Sequence, residues 1–213
     1  MKKMNQKGFT LIELLAVITI MGILMIVAIP AVQRTIENSR RSTFADTALS
    51  YINAVKTAVS ADELDCSGAI STKGTGYYYY GFYSNNTTGQ DLLEQGGKSS
   101  WNNADVIGVV VVRKTASGVR SSYEYGIAMI DSGNRGFGGT KYTTNNGTVI
   151  TKVLKENEVT RGNVMTTSAD NRAKLKKTVA PTLGLSNEST PKWYFGVSDT
   201  TGITETPVGC SIS

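Results

Sequence analysis

Between Phe9 and Val32 runs FTLIELLAVITIMGILMIVAIPAV, 24 residues whose single charge is Glu13. As an α-helix this stretch extends about 36 Å, more than the about 30 Å of hydrocarbon in a bilayer. Lys2, Lys3 and Lys7 stand immediately before it. Basic residues on that side hold the N-terminus in the cytoplasm and send the rest of the chain outward. Two ordinary explanations compete for such a segment. A secretory signal has a shorter apolar region that ends in a small-residue cleavage site, whereas this run is long and passes directly into a helical pattern. A plain single-pass anchor accounts for the length but leaves the early carboxylate unexplained. An unpaired charge in lipid costs roughly 2.5–3.5 kcal/mol even on lenient scales, so Glu13 calls for a cationic partner and a function.

The segment Lys7-Gly8-Phe9-Thr10-Leu11-Ile12-Glu13 resembles the prepilin cleavage motif of type IV pilins and type II secretion pseudopilins. The resemblance rests on residues 1–35 and implies a set of roles there. A membrane-embedded prepilin peptidase would cut after Gly8, making residues 1–8 a leader, and would methylate the new amine of Phe9. Glu13 would then be the fifth mature residue, and its partner would be the Phe9 amine of a neighbouring subunit. Each subunit would bring one costly carboxylate and one costly ammonium into lipid, and docking in one register would satisfy both. Such a pair specifies stagger more than it adds stability. Gly8, having no side chain, lets the peptidase approach the backbone closely. Gly22 and Pro30 also match the family, whose filaments melt the helix between a glycine and a proline at these places. The resemblance thus implies that residues 22–29 are helical in the monomer and extended in the filament. The alternative is that Gly22 permits close helix packing and Pro30 gives a fixed kink.

Beyond Pro30 the pattern becomes amphipathic. Ala45, Ala48, Ile52, Val55 and Val59 recur at three- and four-residue steps, with Asp46, Ser50, Asn53 and Lys56 between them. One face of this half is therefore expected to be buried. The whole helix is predicted from about Phe9 to about Ala61, about 80 Å long, with residues 9–32 as the membrane and filament-core segment and 33–61 as the amphipathic half.

Residues 62–213 read as a β-rich head. Charged residues make up 18% of the chain, below the usual quarter, which favours a turn-rich β domain over a helical bundle. Predicted strands are Tyr77–Tyr83, Val106–Arg113, Arg120–Ile130, Lys141–Thr144, Thr148–Leu154 and Trp193–Val197. The second and third form a hairpin through Ser117-Gly118, the fourth and fifth another through Asn145-Asn146-Gly147. Tyr123, Tyr125, Ile127 and Met129 fall on one strand face. Residues 168–177 (SADNRAKLKK) read as a short basic helix capped by Ser168. The expected fold class is α+β and pilin-like: a long N-terminal helix, its apolar half protruding, its amphipathic half packed on a sheet of four or more antiparallel strands.

Several local signals favour their plainer reading. The glycine-rich stretch 131–140 lacks P-loop spacing. The tyrosines at 77–80 fit a half-buried strand better than an adhesive surface. Asp62, Glu63 and Asp65 match no calcium loop and fit a solvated helix end, so no metal site is expected. The chain has no histidine, and its net charge of +5 falls to +2 without the three leading lysines (+5 less 3). An enzyme and a cofactor are therefore not expected, and nucleic acid is left open without being indicated. Cys66 and Cys210 both fall outside the membrane. A disulfide would tie the end of the chain to the end of the long helix, for about 5 kcal/mol from loop closure; the alternative is two free thiols.

These readings converge on a filament subunit, the major pilin of a type IV pilus. It would be an inner-membrane precursor first and an extracellular fimbrium afterwards, serving adhesion, motility or aggregation. Its partners would be copies of itself, the prepilin peptidase, the pilus assembly machinery and, before assembly, the membrane. A pseudopilin of a type II secretion or DNA-uptake system, and a minor or tip pilin acting as an adhesin, are the alternatives.

Overall fold

A computed structural model describes residues 9–84, 92–93, 97–117, 120–137, 143–145, 148–179, 192–195 and 207–212. The chain forms two compact units, Met1–Ser39 and Arg40–Ser213. A single helix, α1 (Leu11–Ser60), contributes to both, with bounds within two residues of those predicted. In the first unit the apolar side chains from Phe9 to Ile36 are exposed: Phe9 at 91% and Ile26 at 75% are typical of its extremes. In the second unit, Phe44, Ala45, Ala48, Tyr51, Ile52, Val55 and Val59 are buried, the stripe that the three- and four-residue spacing predicted.

Among the described residues ten strands follow: β1 (Leu64–Asp65), β2 (Gly76–Tyr83), β3 (Val106–Ser117), β4 (Arg120–Asp131), β5 (Arg135–Gly136), β6 (Thr143–Asn145), β7 (Thr148–Lys155), β8 (Met165–Thr166), β9 (Lys192–Phe195) and β10 (Val208–Ile212). A second helix, α2 (Ala169–Val179), separates β8 from β9. The sheet runs β1-β10-β2-β3-β4, and the far edge of β4 is shared by β5 near one end and β7 further along. The β3–β4 hairpin is its centre, in register from Val106 opposite Asp131 to Ser117 opposite Arg120. The predicted turn residue Gly118 lies outside the described residues, as do 141–142 and 146–147 of the second predicted hairpin. Within that hairpin Asn145 is paired with Thr148 and belongs to a strand, not to the turn.

The sheet is antiparallel-dominated but mixed. β10 pairs with β2 in parallel and β9 pairs with β7 in parallel, two pairings that the expectation of an antiparallel sheet did not include. Both faces of the central strands are covered. On one face Tyr78, Tyr80, Phe82, Val110, Val112, Ile127 and Met129 pack with the buried stripe of α1. On the other, Tyr79, Ile107, Val109, Val111, Ala128 and Ile130 pack with Leu175 of α2. The alternation follows from the two-residue period of a strand, and burial of each such side chain stabilises the fold by about 1.5–3 kcal/mol. Two covered faces explain why Tyr78, Tyr79 and Tyr80 are all buried rather than half-exposed as the sequence implied. Gly108 is required here: it sits opposite Phe82, and a Cβ would come within 2.3 Å of that ring.

Aromatic contacts fasten α1 to the sheet. Tyr51 stacks on Phe82 with ring centroids 3.8 Å apart, and its hydroxyl donates to the Gly97 carbonyl at 2.9 Å. Phe44 packs between Trp101 and Phe137 at 5.6 and 5.3 Å. Two buried charges hold the loops. Lys114 Nζ donates to the carbonyls of Ile70, Ser71 and Lys73 at 2.9, 2.8 and 2.7 Å, satisfying all three of its donors. Asp131 accepts from the Ser99 hydroxyl at 2.7 Å and the Arg135 N–H at 2.8 Å.

Candidate functional site

The first turn of α1 places Glu13. Thr10 is the N-cap and Glu13 is three residues on, the spacing of a capping box. The Thr10 N–H and hydroxyl both donate to Glu13 Oε2, at 2.8 and 2.7 Å, and the Glu13 N–H donates back to the Thr10 hydroxyl oxygen at 3.3 Å. The first helical bond, from the Leu14 N–H to the Thr10 carbonyl at 3.2 Å, closes beneath it. Glu13 thereby lies at the positive end of the helix dipole, four residues after Phe9. Among the described residues nothing donates to Oε1, so one carboxylate oxygen completes the cap and the other remains open. The T-x-x-E spacing is the local signal for this cap, a partner for Glu13 within its own chain beside the Phe9 amine that the resemblance implies. Gly8 lies outside the described residues.

Further along α1, residues 22–30 are helical. A Cβ on Gly22 would meet no atom within 4 Å, so nothing in the single chain demands glycine there. Pro30 lies inside the helix and has no N–H to donate to the Ile26 carbonyl one turn earlier. The helix is long and apolar enough to cross a membrane, and its apolar window is unburied.

In the second unit Cys66 and Cys210 are joined as a disulfide across a sequence separation of 144. The bridge binds the segment after α1 to β10, the strand between β1 and β2. Asp62 and Asp65 shape this junction. Asp62 accepts from the Ser71 N–H at 3.2 Å and hydroxyl at 2.7 Å, and Asp65 accepts from the Gly68 N–H at 2.6 Å. Among the described residues no group of three or more carboxylates and cysteines has metal-site geometry. On the basic helix, Ser168 caps as predicted, its hydroxyl accepting from the Asn171 N–H at 3.2 Å. At the far end of the α1 face, Lys56 bonds Glu156 and lies 5.3 Å from the Tyr125 ring centroid. Burial first, then the neighbouring Tyr123 and Glu156, push the Tyr125 hydroxyl up to about 12. Tyr123 is raised by burial and by Asp62.

Residues 3–29 match the family described as the prokaryotic N-terminal methylation motif. Two proteins named "Fimbrial protein", both from Pseudomonas aeruginosa, are each 38% identical to this chain over 96 residues, which is 44% of this chain and 56% of the relative. The match therefore spans about half the length of these curated relatives. No solved structure matches the chain.

Proposed function

We propose that this type IV pilin-like chain is the structural subunit, the major pilin, of a type IV pilus, polymerised through the first half of α1. The observation that carries the reading is the open Oε1 of Glu13, set at the N-terminus of an exposed apolar helix beside Phe9. In this reading residues 1–8 are a leader removed by prepilin peptidase between Gly8 and Phe9, and the Phe9 amine is methylated. Residues 9–32 anchor the precursor in the inner membrane with its N-terminus in the cytoplasm. Residues 33–61 carry the head, residues 62–213, into an extracellular filament.

The chemistry of assembly follows from the cap. A carboxylate already held by Thr10 costs less to keep in lipid than a bare one, and its free oxygen still requires a donor. An incoming subunit's Phe9 ammonium supplies that donor and is itself neutralised. A shift by one helical turn, about 5.4 Å, would leave both charges unpaired, so the register is selected by a penalty on wrong alignments. The fimbrial name of the relatives supports the filament reading. Mass spectrometry of protein recovered from the cell surface tests it. A chain beginning at N-methylated Phe9 is expected, and a surface chain beginning at Met1 or cut near Ala31 would overturn the proposal.

A further inference from the structure

Where β7 leaves β4, a cleft of about 300 Å³ opens between Tyr123, Glu124 and Tyr125 on one side and Lys155, Glu156 and Asn157 on the other. Its origin is topological. The two strands pair only at Ile127 with Leu154 and Gly126 with Lys155, after which the chain turns through the 3-10 segment Glu156–Glu158. That turn is pinned by the Lys155 N–H donating to the Glu158 carboxylate at 2.9 Å. β4 continues to Arg120 paired with β3, leaving a notch beside its outer edge. The volume is at the lower end of the about 300–1,000 Å³ of small-molecule sites.

The walls restrict what fits. Tyr123 and Tyr125 are two residues apart and so project from the same face of β4. Each ring already has a protein ammonium nearby: Lys56 Nζ is 5.3 Å from the Tyr125 centroid and Lys114 Nζ is 5.9 Å from that of Tyr123. A cationic ligand would meet those ammonium groups in competition for the same rings. Both carboxylates are also engaged, Glu124 with Arg113 at 2.9 Å and Glu156 with Lys56. They remain acceptors for hydroxyl groups, and they repel an anion. Among the described residues the Tyr123 and Tyr125 hydroxyls and the Asn157 amide form no hydrogen bond. The chemistry that remains is a neutral molecule with an apolar C–H face for the rings and hydroxyls for the rim.

We propose that this cleft binds a neutral saccharide, a pyranose stacking on the tyrosines with its hydroxyls bonded to Glu156 and Asn157. The site belongs to the second unit and does not rest on the chain forming filaments.

The test is saturation-transfer NMR on the full chain in a zwitterionic detergent that carries no sugar. The probes are lactose, maltose and diacetylchitobiose, with choline and glucuronate as charged comparators. Transfer from protein aromatic protons to at least one neutral sugar is expected, and Tyr125→Ala and Asn157→Ala should each weaken it by about tenfold, the scale of one lost aromatic or polar contact. Asn157→Ala, at an exposed rim position, carries the test if Tyr125→Ala melts early. Lactosylceramide vesicles form a second arm: binding there and not to free lactose assigns the site to membrane-borne glycans, and binding to both assigns it to any exposed glycan. No transfer to any neutral sugar at millimolar concentration, stronger binding of choline or glucuronate, or binding unaffected by these substitutions would each overturn the proposal.

Discussion

Glu13 and Lys114 are both charges that an apolar setting makes costly, and the chain resolves them differently. Lys114 is finished within its own fold, since three carbonyls take its three donors. Replacing it with Met would leave three carbonyls facing an apolar group in a site with 5% exposure. Of the three bonds only that to Ile70 is buried, and an unsatisfied buried acceptor costs about 1–3 kcal/mol, so Lys114→Met should lose about 1–3 kcal/mol in urea unfolding. An unchanged midpoint would show that the cage does not hold the 70–73 segment. Glu13 is only half finished, with Thr10 on Oε2 and Oε1 open. Glu13→Ala is therefore expected to leave membrane insertion and processing intact while filament yield collapses. Normal filament amounts, read by shearing and electrophoresis, would contradict the pairing role.

At the scale of elements, α1 does two jobs within one helix whose bond pattern is interrupted at Pro30. Its second half is specified by packing: the buried stripe ends in a polar face that reads helix at every step. Its first half makes no demand for Gly22, and Pro30 has already removed one backbone bond. Gly and Pro lower helix stability by about 1 and about 3 kcal/mol relative to Ala, which concentrates the weakness between them. In filaments imaged by electron cryomicroscopy, residues 22–29 should be extended in the natural chain and helical in a Gly22→Ala, Pro30→Ala double variant. A natural filament that stays helical through these residues would favour the fixed-kink alternative. The strands behave in the opposite way. β3 and β4 are long, apolar and adjacent in sequence, and their hairpin closes with little loop entropy.

For the whole molecule, the decisive connection is the return of the chain's end. β10 sits between β1 and β2, with Ile212 opposite Leu64 and Cys210 opposite Tyr80. The Cys66–Cys210 bridge closes a loop with a separation of 144 residues, for which chain entropy gives about 5 kcal/mol. Reduction should therefore lower the unfolding free energy measured in urea by about 5 kcal/mol. A change below about 1 kcal/mol would mean that β10 holds its place by pairing and packing alone. If β10 leaves its place, the tyrosine-rich edge of β2 that it covers is open to pairing with other chains.

The apolar helix, its amphipathic continuation, the N-terminal methylation motif and the β3–β4 hairpin were legible because each is written in local periodicity or in adjacent residues. The bounds of α1 and α2 needed no tertiary information beyond two residues of adjustment. Tertiary structure alone decided the parallel placement of β9 and β10, the burial of the tyrosines on both faces, and the separate hydrogen-bond partners of Lys114 and of Asp131. The physical reason is the same in each case. β1, β5 and β8 have two residues each, too short to show a period, and β10 finds its neighbours more than 120 residues away in the chain. A buried lysine looks like a surface lysine until the carbonyls that surround it are in place. Sequence by itself thus determined the long helix, with its exposed apolar half and its buried stripe; only the closed sheet determined which strands meet and which side chains they bury, because those contacts join residues far apart in the chain.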